Sequence, residues 1–117
     1  MKTADIEKFL LALPAATLSI QWGNDRVFKV GDKMFAVMGP HDGESQSMSF
    51  KASDESFRIL TELPGVKPAP YLARAQWVHL DKPTRLPAKE LKAYLTRAHA
   101  IVAGGLPKKT QRELGLL

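Results

Sequence analysis

The hydrophobic pattern of the chain changes period twice, and this limits the possible folds more than any other feature of the sequence. Over residues 3–13 apolar side chains recur at helical spacing, which predicts an amphipathic helix that starts near Thr3 and stops at Pro14. From residue 17 onward the period is two, as in strands with one buried face. Four such stretches, joined by short turns, follow one another at residues 17–22, 26–30, 33–38 and 46–51. They predict an antiparallel meander.

The helical period returns after the fourth strand. Ser53 precedes two acidic residues and an amphipathic stretch up to residue 63, which predicts a second helix with a serine N-cap. AQWVHL, residues 75–80, predicts a fifth strand bounded by prolines. Residues 87–105 begin with proline, end with a glycine pair and carry an apolar stripe, so they predict a third helix. Residues 107–114 predict one or two further helical turns.

The predicted order α-β-β-β-β-α-β-α groups the strands instead of alternating them with helices. It indicates an α+β fold, a two-layer sandwich in which the helices cover one face of a mostly antiparallel five-stranded sheet. A chain of 117 residues is expected to form one domain, residues 1–117. Because Trp22 alternates with Leu18 and Ile20, we expect it in the core or at its boundary, and we expect the same of Trp77.

Composition places the chain among globular proteins. Hydrophobic residues make up 44% of the sequence and charged residues 25%, which is unlike a disordered chain. The first residues lack the apolar core of a secretory signal, and no apolar run reaches the ~18 residues of a membrane span. We therefore expect a cytoplasmic protein without a membrane partner.

The sequence lacks the patterns of the common catalytic sites. It contains no glycine-rich phosphate loop, and GESQS around Ser45 differs from the G-x-S-x-G of serine hydrolases. His79 and His99 have no neighbour in sequence that would orient a catalytic imidazole, so we expect both to be structural. These observations argue against a nucleotide-binding loop, a serine nucleophile and a catalytic histidine, and they single out no catalytic residue.

Metal binding is also not expected. The absence of cysteine excludes disulfides, thiolate nucleophiles and cysteine-based zinc sites. His41, Asp42 and Glu44 offer three ligand types in one loop, but adjacent residues of a turn rarely converge on one ion. A solvated loop explains their composition without a ligand.

Positive charge is concentrated in the second part of the chain. Residues 1–66 contain seven Lys/Arg and nine Asp/Glu, whereas residues 67–117 contain ten and three. Such a surplus either forms a footprint for phosphates or only keeps the protein soluble. Cations beside aromatic rings suit nucleic acid, because the rings stack on bases and the cations contact phosphates. The candidate nucleic-acid-binding residues are Lys33, Lys51, Lys67, Tyr71, Arg74, Lys108, Lys109 and Arg112.

The stretch PGVKPAPYLARAQWVHL, residues 64–80, combines prolines with aromatic and cationic residues. Each proline fixes its own φ and restrains the residue before it, so an extended path is expected. We interpret the stretch as a rigid crossover that holds Tyr71 and Arg74 at the sheet edge. Its residues alone do not distinguish a connector from a binding surface.

This stretch resembles the signature of the MmcQ/YjbR family of small bacterial proteins, and so do WGNDRVFKVGDKMFAVM (residues 22–38) and MSFKAS (residues 48–53). The resemblance implies an α+β fold related to secretion-chaperone and frataxin-like sandwiches. It also implies a DNA-binding protein of double-wing type, with no enzymatic activity or cofactor. The chain departs from the family in its third helix, where Ala98-His99 stands in place of the usual Ser-Tyr pair.

Two functions follow as hypotheses, ahead of a small-molecule enzyme, which ranks third. The first is a non-enzymatic DNA-binding protein that contacts phosphates through its basic C-terminal half. The alternative is a protein- or peptide-binding module that uses an exposed face or edge of the sheet. Candidate cations that share one surface would favour the first, and scattered cations the second.

Overall fold

The computed structural model describes residues 2–22, 24–39, 47–69 and 75–117. The helices within these ranges are α1 (Thr3–Leu11), α2 (Asp54–Leu60), α3 (Ala88–Gly104) and α4 (Lys108–Glu113). The strands are β1 (Ala16–Gln21), β2 (Asp25–Val30), β3 (Lys33–Met38), β4 (Met48–Lys51), β5 (Val66–Pro68) and β6 (Trp77–Leu80). The predictions about His41, Asp42, Glu44, Ser45, Tyr71 and Arg74 lie outside the described residues.

The strands form one sheet in the order β1-β2-β3-β4-β6-β5, and every neighbouring pair is antiparallel. This confirms the predicted α+β class and the meander. The predicted number of five strands was wrong, because β5 adds a sixth strand at the edge beside β6. β5 has three residues and ends in Pro68, which an edge strand tolerates because one side of its backbone needs no partner.

The core lies between the sheet and the helices. Phe28, Ala36, Phe50 and Val78 stand opposite one another on successive strands and are fully buried. α3 packs over β3 and β4 and buries Leu91, Leu95 and Ala98 in the same cluster. The amphipathic stripe read from the sequence therefore faces the sheet, as a helix of this pattern must.

The helix ends follow the predicted capping signals at two of three positions. The Ser53 hydroxyl accepts a hydrogen bond from the Ser56 amide at 3.1 Å, which caps α2 as expected. α3 ends at Gly104, with Gly105 as its C-cap. Thr3 was expected to cap α1, but it is the first helical residue, and Lys2 occupies the N-cap position without a side-chain bond.

The turn between β2 and β3 is held against the end of α3. Gly31 adopts a φ of +57°, and a Cβ atom built on it would lie 2.6 Å from Cδ1 of the buried Leu106. Only glycine adopts this positive φ and leaves the space next to Leu106 free without strain. The register between the two strands shifts next to Phe28, and Phe35 turns toward the helices, where its ring meets that of His99 edge-on at 5.2 Å.

Trp22 was expected in the core or at its boundary, and this prediction was wrong. β1 ends at Gln21, and Trp22 lies in the following turn with a φ of +50° and 65% of its surface exposed. The left-handed backbone at Trp22 ends the alternation of buried and exposed residues on which the prediction rested. β1 is also an edge strand, and Ile20 near its end is 52% exposed. Trp77 is 4% exposed, as predicted.

Candidate nucleic-acid interface

The face of the sheet opposite the helices carries lysines at its centre. Because Phe28, Phe50 and Val78 point toward the helices, alternation places their neighbours on the opposite face. One row across the sheet consists of Ser19, Val27, Val37, Ser49, His79 and Lys67. The adjoining row consists of Thr17, Lys29, Met34, Lys51 and Trp77. We call these residues the open face; they include three lysines. By the same alternation Asp25, paired with Gln21, lies in the next row of this face, and Asp81 lines a cavity with Lys67 and His79 at its other end.

Two candidate cations meet at one end of the sheet. Lys33 begins β3 and Lys51 ends β4, so both lie at the same end of this antiparallel pair of strands. Both line a groove of about 330 Å³ beside the C-terminal end of α3, which we call the lysine groove. Its other lining residues are Met34, Ala75, Trp77, Ile101, Val102, Gly105, Leu106 and Pro107. The Lys51 ammonium group donates a hydrogen bond to the carbonyl of Ala75.

The cations of the C-terminal helix lie next to the same groove. Gln111 is buried, and its amide donates a hydrogen bond to the Leu106 carbonyl at 2.7 Å, which holds α4 against the segment after α3. Pro107 lines the groove, and Lys108, the first residue of α4, follows Pro107 in the sequence. Lys108 therefore lies next to the groove. Lys108 and Arg112 are four positions apart on α4, on one side of the helix, and both are exposed, as is Lys109.

Lys67 shares the open face but not the groove. Lys67 lies on the edge strand β5 opposite His79 of β6. Lys51 of β4 pairs with Trp77, which is two positions before His79 on β6. Strand spacing and rise place the Cα atoms of Lys67 and Lys51 about 12 Å apart. The structure thus brings Lys33, Lys51 and Lys108 to one end of the molecule, with Lys67 across the open face from them.

His79 is the titratable ring of the open face. Its Nδ1 atom lies 2.9 Å from the Ser49 hydroxyl, and it lines a second cavity of about 370 Å³ with Lys67 and Asp81. Partial burial lowers the pKa of His79 below 6.5, and the Lys67 charge lowers it further, while Asp81 acts in the opposite direction. The ring is therefore neutral near pH 7. Sequence reasoning missed the Ser49–His79 pair, although the alternation within the two strands already places both residues on one face.

The carboxylate near His79 is engaged elsewhere. Arg85 donates two hydrogen bonds to Asp81, at 2.7 and 2.8 Å, and the bond from Arg85 lowers the pKa of the Asp81 carboxyl to about 2. The same contact raises the pKa of Arg85. Because a bidentate partner already occupies the guanidinium, we do not count Arg85 among the phosphate-binding cations.

The departure from the family in α3 lies inside the protein. Ala98 is fully buried and His99 is 6% exposed. Nε2 of His99 donates a hydrogen bond to the Pro14 carbonyl at 2.7 Å, so His99 is a structural histidine as predicted. Ala98 and His99 therefore lie in the interior, on the helix side of the sheet, and not on the open face.

The described residues contain neither a grouped set of metal ligands nor a membrane-spanning helix. Across the ranges 2–22, 24–39, 47–69 and 75–117, no three His, Cys, Asp or Glu side chains are grouped so that they could hold a metal ion. Among the helices described above, none is long and apolar enough to cross a membrane.

The fold defines a small α+β domain with helices on one side of a six-stranded antiparallel sheet, and solved structures share it. The crystal structure of the Deinococcus radiodurans protein DR2400, which contains a DUF419 domain, has a TM-score of 0.86 and 23% identity, over 99% of this chain and 89% of that one. A protein from Pseudomonas syringae has a TM-score of 0.69 and 18% identity, over 87% of this chain and 99% of that one.

The sequence assigns the family. The YjbR family model matches residues 11–101, which is most of the chain, and the protein belongs to the YjbR family. This confirms the resemblance found in the three sequence stretches. A search of curated protein sequences finds no match.

Proposed function

We propose that this YjbR protein is a non-enzymatic DNA-binding protein that contacts phosphates through its open face and the adjoining basic end. The observation that carries the proposal is the lysine pattern: Lys29, Lys51 and Lys67 share one face of the sheet, and Lys33 borders it. The carboxylates of this face, Asp25 and Asp81, lie at its ends, and Arg85 binds Asp81. Within the described part of the chain, none of these lysines forms an ion pair with a carboxylate. Their charge is therefore available to a polyanion.

The spacing of the lysines suits a duplex. The Cα atoms of Lys51 and Lys67 lie about 12 Å apart, which is close to the ~12 Å width of the major groove of B-DNA. Lysine side chains that start from Cα atoms at this spacing are long enough to reach phosphates on both borders of one groove. Lysine is a point charge without a fixed hydrogen-bond fork, so such contacts fix position without reading sequence.

The test compares two sets of substitutions with the same loss of charge. The first replaces Lys33, Lys51 and Lys67 with Gln. The second replaces Lys2, Lys8 and Lys89, which are exposed on or beside the helices, with Gln. Fluorescence anisotropy with a labelled duplex at low salt should show at least about tenfold weaker binding for the first set than for the second. Equal weakening by both sets would mean that net charge, and not the open face, governs binding.

Peptide binding is the second candidate, and the sheet edge favours it. β1 is a six-residue edge strand, and its Thr17 and Ile20 are exposed. An extended peptide is able to pair with such an edge through main-chain hydrogen bonds. If the wild-type protein does not bind duplex DNA at low salt, this function takes precedence, and Ile20→Pro, which blocks strand pairing at that position, is the variant to examine.

A further inference from the structure

We propose that the lysine groove is a binding site for a small amphipathic carboxylate, a molecule with an aliphatic or aromatic body and one carboxylate group. The groove joins an apolar floor to a cationic rim. Neither the DNA-binding proposal nor the family membership assigns a small-molecule ligand to it.

The floor of the groove comes from α3 and from the strand ends. Ile101 and Val102 face it from the last turns of α3 and are partly exposed, while Trp77 and Leu106 close it from beneath. Its volume of about 330 Å³ is at the lower end of the ~300–1,000 Å³ range of small-molecule sites. A ligand with a short alkyl chain or a single ring removes this apolar surface from water, and each buried methylene tightens binding about threefold to fourfold.

The rim selects for a negative head group. Lys33 is exposed at the start of β3, and Lys51 stands beside it at the end of β4. One N–H of Lys51 is used by the Ala75 carbonyl, which fixes the ammonium group at the rim and leaves two N–H donors for a ligand. Two cations beside an apolar floor complement a carboxylate joined to an apolar body. A neutral alcohol would lack the hydrogen bonds between ions that the two ammonium groups form with a carboxylate.

The chain provides its own fluorescent probe for this site. Trp77 lines the groove, and Trp22, the other of the two tryptophans, is exposed in the turn after β1. A Trp22→Phe protein therefore reports on the groove alone. The measurement contains no DNA, so it stands or falls separately from the proposed function.

The experiment titrates Trp22→Phe protein with octanoate, octanol and acetate. Octanoate should change the Trp77 fluorescence saturably with a Kd below about 1 mM, while octanol and acetate should each bind at least about tenfold more weakly. Added to this background, Lys33→Gln with Lys51→Gln should weaken octanoate binding by about tenfold or more. Val102→Phe should abolish binding by filling the groove. Ala100→Phe introduces the same side chain at an exposed position of α3 and should leave octanoate binding unchanged.

Three results would overturn the proposal. The first is the absence of saturable binding of octanoate, and the second is octanol binding as tight as octanoate binding. The third is octanoate binding that survives Val102→Phe in a variant whose thermal melting shows that it is folded. If Val102→Phe does not fold, the Lys33→Gln, Lys51→Gln pair and the octanol comparison decide the matter.

Discussion

The Nε2 atom of His99 lies 2.7 Å from the carbonyl oxygen of Pro14, and this hydrogen bond ties the middle of α3 to the segment between α1 and β1. The two residues are 85 positions apart in sequence. The ring is 6% exposed and meets Phe35 edge-on, so the contact closes one end of the core. His99 is the buried partner of this contact, and a buried ring N–H needs such an acceptor.

His99→Ala should therefore lower the free energy of unfolding by about 2 kcal/mol, because it leaves the Pro14 carbonyl without its donor and removes the contact with Phe35. Urea denaturation measures the difference. Thr96→Ala, at an exposed position of the same helix, should change the free energy of unfolding by less than about 0.5 kcal/mol. A loss of the same size in both variants would contradict the structural role of His99.

The two tryptophans should differ sharply in their contribution to stability. Trp77→Ala removes a ring that is 4% exposed and should cost about 3–5 kcal/mol. Trp22→Asn places a residue that tolerates positive φ at a turn position with 65% exposure, and it should leave the free energy of unfolding unchanged or slightly increased. Thermal melting of both variants distinguishes these outcomes. A large loss for Trp22→Asn would show that this ring is packed.

These two rings also show how far the sequence predicted the structure. The alternation of apolar and polar residues predicted β1 to β4 and β6 correctly, because burial of one face of a strand imposes a period of two. It failed at Trp22, where a left-handed backbone, which local sequence does not reveal for a tryptophan, ended the strand one residue early. β5 escaped prediction because three residues are too few to show a period. Lys33 and Lys51 were predicted one by one, but their meeting at the lysine groove depends on strand register.

Gly31 should be intolerant of a side chain. Gly31→Ala combines a φ of +57° with a Cβ atom 2.6 Å from Leu106, so it should lower the free energy of unfolding by about 1–3 kcal/mol. Gly104→Ala is the matched control, because it lies at the end of α3 with no atom within 4 Å of the added Cβ, and alanine favours the helix. Chemical denaturation should show opposite signs for the two variants. Equal losses would be evidence against the close packing of the turn on Leu106.

His79 should make stability depend on pH in one direction. Its pKa in the folded protein is lowered by burial and by Lys67, so well above pH 6.5 the ring is neutral in both the folded and the unfolded state, and its protonation costs no stability there. As the pH falls through 6.5, the unfolded state binds the proton first, and the free energy of unfolding decreases. His79→Gln, which does not titrate, should reduce this loss. Urea denaturation of both proteins from about pH 7.5 to about pH 5 tests the prediction. An identical pH dependence would contradict it.

The contribution of Lys67 is separable by NMR. Lys67→Gln removes the charge beside His79, so the pKa of the ring should rise toward 6.5. The Cε1–H resonance of His79 reports this pKa directly. Lys29→Gln, on the open face but three strands away from β6, should leave it unchanged. A shift produced equally by both variants would mean that net charge alone sets the pKa.

The salt dependence of DNA affinity tests most directly whether the open face contacts phosphates. For the wild-type protein the logarithm of the binding constant should fall with the logarithm of salt concentration, with a slope of about −0.9 for each phosphate contacted. Replacing Lys33, Lys51 and Lys67 with Gln should flatten the slope by about 2 to 3, while the Lys2, Lys8 and Lys89 set should leave it unchanged. No binding at low salt, or an unaltered slope in the first set, would contradict the account.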